Sequence, residues 1–172
     1  MTIWIRKGDI MVECSKTVLD AIELGMDEEK KASDFYADAA AKLPEGSGKA
    51  LFSQLSEFEL GHYKALAELK SSLTGDSCYI TYESALLEPA GVEGGPVKLD
   101  GDVQKTILDI LTIGIRNEKK AGQAYRELAA EIEDPNGVAM FEKMAKEEGQ
   151  HARILEDQLY DVKNRGELVW GD

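Results

Sequence analysis

Three observations predict an all-α fold, a four-helix bundle made of two helical hairpins joined by a long crossover. Ala, Leu, Glu and Lys dominate, only 4 prolines occur in 172 residues and 31% of residues are charged, a composition that suits long amphipathic helices rather than sheets. The chain repeats itself, with Glu-Lys-Lys-Ala at 29–32 and again at 118–121, and each half reads as two helices. Between the halves, 75–101 carries Gly91, Gly94, Gly95 and two prolines with no lasting helical period, which predicts a connection and not a fifth helix.

The first helix is expected over about 15–43 and ends at the Pro44-Glu45-Gly46-Ser47-Gly48 break; the second spans about 49–73. The third spans about 102–133, and the Asp134-Pro135-Asn136-Gly137 break separates it from a fourth over about 138–164. Short breaks make antiparallel pairs, and a crossover over about 74–101 is long enough to run the length of the bundle, so that the second and third helices lie parallel. The repeat needs no gap: at one offset of 89 positions Gly25 pairs with Gly114, Tyr36 with Tyr125, Phe52 with Phe141 and His62 with His151. At this length a single domain over 1–172 is the expectation.

Net charge narrows the partners. At -13 the chain lacks the clustered cations that phosphate backbones demand, so nucleic acid is not expected. The acidity itself fits either solvated helix faces or a field that attracts metal cations. Residues 1–10 are interrupted by Arg6, Lys7 and Asp9, too short and too charged for a signal peptide or a membrane span. Cys14 and Cys78 are the only cysteines and form no C-x-x-C pair, which argues against a disulfide framework or a cysteine-ligated metal and for a reducing cytoplasm. A short strand or turn is expected over 78–82, with no function assigned to it. Trp4 and Trp170, near the two ends, could pack together or meet a partner subunit.

The inward stripes carry the chemistry. Steps of three and four along the first helix select Ile22, Gly25, Glu29, Ala32, Tyr36, Ala39 and Leu43; along the third they select Leu111, Gly114, Glu118, Ala121, Tyr125, Leu128 and Ile132. The second helix gives Phe52, Leu55, Glu59, His62, Leu66 and Leu69, and the fourth gives Phe141, Met144, Glu148, His151 and Leu155. Four carboxylates converging in an apolar bundle cannot all stay ionised uncompensated, because each buried lone charge costs several kcal/mol. No Lys or Arg lies on those stripes, whereas two divalent cations would balance four carboxylates. A single Glu-x-x-His is ordinarily a solvated pair; here the chain's only 2 histidines both have Glu at -3 and both fall on apolar stripes. One Glu from each of two helices and Glu-x-x-His from the other two is the ligand pattern of di-iron and di-manganese carboxylate bundles. Tyr36 and Tyr125, two turns beyond Glu29 and Glu118, fit core packing or a hydroxyl that orients a ligand carboxylate equally well. Gly25 and Gly114 fit close helix packing.

These residues resemble the rubrerythrin branch of the ferritin-like superfamily, over about 17–160. The resemblance rests on Glu29-Lys30-Lys31-Ala32 with Tyr36, Glu59-Leu60-Gly61-His62, Glu118-Lys119-Lys120-Ala121 with Tyr125, and Glu148-Gly149-Gln150-His151. It implies that Glu59 and Glu148 bridge two metals, that Glu29 and His62 complete one and that Glu118 and His151 complete the other. It also implies a homodimer. Two departures stand out. Rubrerythrins proper append a rubredoxin domain with paired C-x-x-C motifs, absent from this sequence, so that an external electron donor such as a rubredoxin-like protein is expected. They also tend to carry a further Glu where this chain has Ala121, and its loss makes the ligand set symmetric, closer to bacterioferritin-type ferroxidase centres.

One imidazole per metal amid carboxylates suits iron or manganese better than zinc or calcium; iron rests on the resemblance. Three uses stay open: a redox enzyme that consumes hydrogen peroxide or dioxygen, an iron-handling protein that oxidises and stores Fe(II), and a scaffold stabilised by structural metals.

Overall fold

The computed structural model describes residues 3–7, 10–14, 16–75, 79–83, 87–88 and 96–170, with the backbone alone up to residue 17. Four long helices make up most of it: α1 (Lys16–Ala41), α2 (Ser47–Thr74), α3 (Gly101–Glu131) and α4 (Pro135–Arg165). Helix α1 packs along α2, and α3 along α4, so the two expected hairpins are present as a four-helix bundle.

The bounds differ from the expected ones where local chemistry extends or trims a helix. Helix α4 starts at Pro135 rather than at 138. Proline's fixed φ suits a first helical position, and the Asp134 carboxylate accepts from the Asn136 and Gly137 amides at 2.8 and 3.2 Å. What reads as a break is therefore a cap. The same helix closes on Gly166, left-handed at φ 70. Helix α1 stops at Ala41 instead of 43, ahead of Pro44, which disfavours helical geometry in the residue before it.

Two short antiparallel pairs lie outside the helices. Strands β1 (Ile3–Lys7) and β2 (Ile10–Cys14) pair with each other, where the sequence reading placed no regular structure. At the far end of the crossover, β3 (Val97–Lys98) pairs with β4 (Glu167–Leu168) just after α4, and the Leu99 amide donates to the Gly166 carbonyl at 2.8 Å. That clasp fixes where α3 begins. Among the described residues of the crossover there is no helix, as expected. Cys78 and the side chains of Cys14 and Trp4 lie outside the described part. Trp170 is buried and donates Nε1–H to Gln54 on α2 at 2.8 Å.

The apolar core falls into two clusters. One gathers Tyr36, Leu51, Phe52, Leu55, Ile107, Leu111 and Leu155; the other gathers Ile22, Leu66, Leu69, Tyr125, Met140, Phe141 and Met144. The polar stations of all four stripes separate them, so burial of the flanking clusters holds the acids in place. Among the described residues no helix is long and apolar enough to cross a membrane.

Candidate metal centre

All six stripe residues meet. Glu29, Glu59, His62, Glu118, Glu148 and His151 are each no more than 3% exposed. Donor atoms of Glu29, Glu59, His62 and Glu148 lie within 4.8 Å of one another, and so do those of Glu59, Glu118, Glu148 and His151. Glu59 and Glu148 serve both groups.

Each shared carboxylate divides its oxygens between the two groups. Glu148 Oε1 lies 2.9 Å from His62 Nδ1 and its Oε2 3.6 Å from His151 Nδ1. Glu59 turns Oε2 to His62 Nδ1 and Oε1 to His151 Nδ1, both at 3.2 Å. The outer acids attach to one side apiece, Glu29 at 3.8 Å from His62 Nδ1 and Glu118 at 3.6 Å from His151 Nδ1.

These atoms approach without aligning as hydrogen bonds. Both oxygens of Glu59, both of Glu148 and Nδ1 of each histidine are buried with no hydrogen-bond partner. Buried polar atoms are seldom left so, and donors aimed at a common point without pairing are what a cation requires. The donor chemistry, carboxylate oxygen with one imidazole nitrogen per group, suits iron or manganese; the residues present fit a two-metal site.

Without cations the cluster balances itself with protons. Burial, then the charge of Glu148, pushes Glu29 up to about 8; burial and Glu59 raise Glu118 well above its ordinary value. Burial works against charge on Glu148 too, yet the charge of His62 together with the neighbouring Glu118 and His151 outweighs it and holds that carboxyl well below the usual range. Burial likewise opposes charge on His62 and His151, but the surrounding carboxylates win and raise both. That the acids hold both imidazoles toward the charged form against burial shows how strongly this pocket demands positive charge.

Tyr36 and Tyr125 are orienting residues as well as core. The Tyr36 hydroxyl donates to Glu118 and the Tyr125 hydroxyl to Glu29, so each half of the chain holds the outer acid of the other. Burial raises both phenols well above their ordinary value, which keeps them protonated donors. Gly114 makes room for this: a Cβ there would stand 3.1 Å from both the Tyr36 hydroxyl and Leu155 Cδ1.

Two residues of the site escape the stripe reading. Glu147, 1% exposed, lies within 3.0 Å of His62 Nε2, on the side of the ring away from the other acids. Tyr82, from the crossover, donates its hydroxyl to Glu147 Oε2 at 2.7 Å. Glu147 sits three residues after Met144 and four before His151, on the same helical face, and that spacing was its available signal. Tyr82 has no such periodicity to betray it.

Fold and cluster together define a four-helix bundle with a buried, carboxylate-rich cluster able to hold metal. The family model for rubrerythrin matches residues 109–169, which cover α4 and most of α3 and include Glu118, Glu148 and His151. No curated protein sequence matches the chain. A solved structure of a hypothetical protein from Pyrococcus furiosus is similar in fold, with a TM-score of 0.68 at 20% identity over 86% of this chain and 90% of that one.

Proposed function

We propose that the protein is a non-haem di-iron oxidoreductase that reduces hydrogen peroxide or dioxygen with electrons from an external donor such as a rubredoxin-like protein. One observation carries the reading: Glu59 and Glu148 each direct one oxygen to the His62 group and the other to the His151 group. Glu29, Glu59, His62 and Glu148 would hold one ion, and Glu59, Glu118, Glu148 and His151 the second. Two ferrous ions bound there would supply the two electrons that, with two protons, convert hydrogen peroxide to two waters.

The chain's own residues prepare the site for that chemistry. The four ligand carboxylates offset the charge of two dications, and Glu147 lies outside that set, against His62 Nε2. Tyr36 and Tyr125 pin the outer acids, and the two apolar clusters exclude bulk water, which strengthens every electrostatic contact inside. A cytoplasmic homodimer, with manganese as an alternative metal, belongs to the same reading.

Ala121 favours a second reading, an iron-binding ferroxidase or storage protein without peroxidase turnover. It packs half-buried against the apolar cluster that contains Tyr125 and Phe141 and adds no carboxylate. Anaerobic loading with Fe(II) followed by either oxidant separates the two. Retention of two ions per chain with peroxide faster by orders of magnitude supports the oxidoreductase. Oxygen-driven uptake of many more irons supports storage. Failure to retain iron sinks both.

A further inference from the structure

We propose that Glu147 is a positioning residue that makes the two metal positions unequal, holding His62 so that the ion it shares with Glu29 binds first and more tightly. The inference rests on the two-metal reading above and adds an order of loading to it.

The internal repeat breaks at this point. At the 89-residue offset Glu147 corresponds to Phe58, and each of the two meets the histidine of the other half. Glu147 Oε2 lies 3.0 Å from His62 Nε2 and is itself tied to Tyr82. His151 instead meets the ring of Phe58 in a T-shaped contact, at 5.2 Å between centroids and 86° between planes. His151 Nε2 is buried with no hydrogen-bond partner.

A neutral imidazole carries one N–H and one lone pair, so offering Nδ1 to a cation requires the proton on Nε2. A carboxylate behind Nε2 selects that tautomer, fixes the ring's orientation and increases the basicity of Nδ1. His62 has this support and His151 does not, because a phenyl ring provides no acceptor oxygen. Removing such a partner commonly weakens metal binding by about 10- to 100-fold, and a difference of that size is expected between the two positions.

Zinc is a suitable diamagnetic probe, and with only 2 histidines in the chain long-range proton–nitrogen spectra resolve each ring. At one equivalent of zinc the His62 signals should move to the bound, Nε2-protonated form ahead of those of His151. In Glu147→Gln that order should disappear, and calorimetry should show the tighter step weakened by about 10- to 100-fold. Tyr82→Phe should shift the tighter step in the same direction by less. Simultaneous loading of both histidines in the wild-type chain overturns the proposal without recourse to a variant, as does a folded Glu147→Gln that keeps order and affinity. A wild-type chain that takes up no zinc instead removes the two-metal reading beneath it.

Discussion

The Nε2 atom of His62 meets a carboxylate, Glu147, braced by Tyr82, whereas that of His151 has no hydrogen-bond partner and its ring packs against the phenyl ring of Phe58. Facing the cluster, the two imidazoles see the same things: one private glutamate each and a half-share in Glu59 and Glu148. Equivalent inner donors thus sit in unequal surroundings. The two halves agree where charge balance demands it and diverge one residue further out.

The largest expected effect separates shared from private acids. Glu148→Gln removes a donor from both groups, so metal content by elemental analysis should fall from two ions per chain to less than one. Glu29→Gln touches one group only and should leave one ion in place. Equal losses from the two variants would break the distinction.

Proton balance sharpens the contrast between the empty and the loaded cluster. Glu29 has its folded pKa raised from 4.5 to about 8, so the metal-free fold binds that proton more tightly than the unfolded chain. Its contribution is fully present below 4.5 and is lost as pH rises through about 8. Both histidines, raised above 6.5, act in the same sense. Thermal unfolding of the metal-free protein should therefore move to lower temperature from pH 6 to 9. The loaded protein should gain over the same range, because ligands must shed protons to bind metal.

Smaller effects probe the cross-held tyrosines. Tyr36→Phe leaves Glu118 without its hydroxyl donor and Tyr125→Phe does the same to Glu29; each should cost about 1–3 kcal/mol in denaturant unfolding. Each should loosen the ion on its own side. Gly114→Ala should cost about 1–3 kcal/mol by crowding the Tyr36 hydroxyl. The smallest change lies outside the site and has the opposite sign. Gly149 is mid-helix with nothing within 4 Å of a Cβ, so Gly149→Ala should add about 0.5–1 kcal/mol.

The six central residues were legible because a buried charge is conspicuous on an apolar stripe of period 3.6, and because the repeat displayed the pattern twice. Glu147 is harder to see, since the stripe of period 3.6 passes through its neighbour Glu148 and a tandem pair of acids looks like one inward and one outward residue. Only the α4 geometry shows that both are buried. Tyr82 reaches Glu147 across 65 positions from a segment without period, and nothing local encodes such a contact. The β1–β2 pair does have a local signal, β-branched residues on either side of Gly8-Asp9, though it lies outside the helical period that dominates the chain. The Asp134-Pro135 pair looks like an interruption, although Asp followed by Pro is also the chemistry of a helix start.

Anomalous diffraction from crystals loaded with manganese or iron tests the central claim most directly. The account expects two peaks between the helices, one beside His62 and Glu29, the other beside His151 and Glu118, with Glu59 and Glu148 touching both. A single peak, or metal bound only on the acidic outer faces, would contradict it.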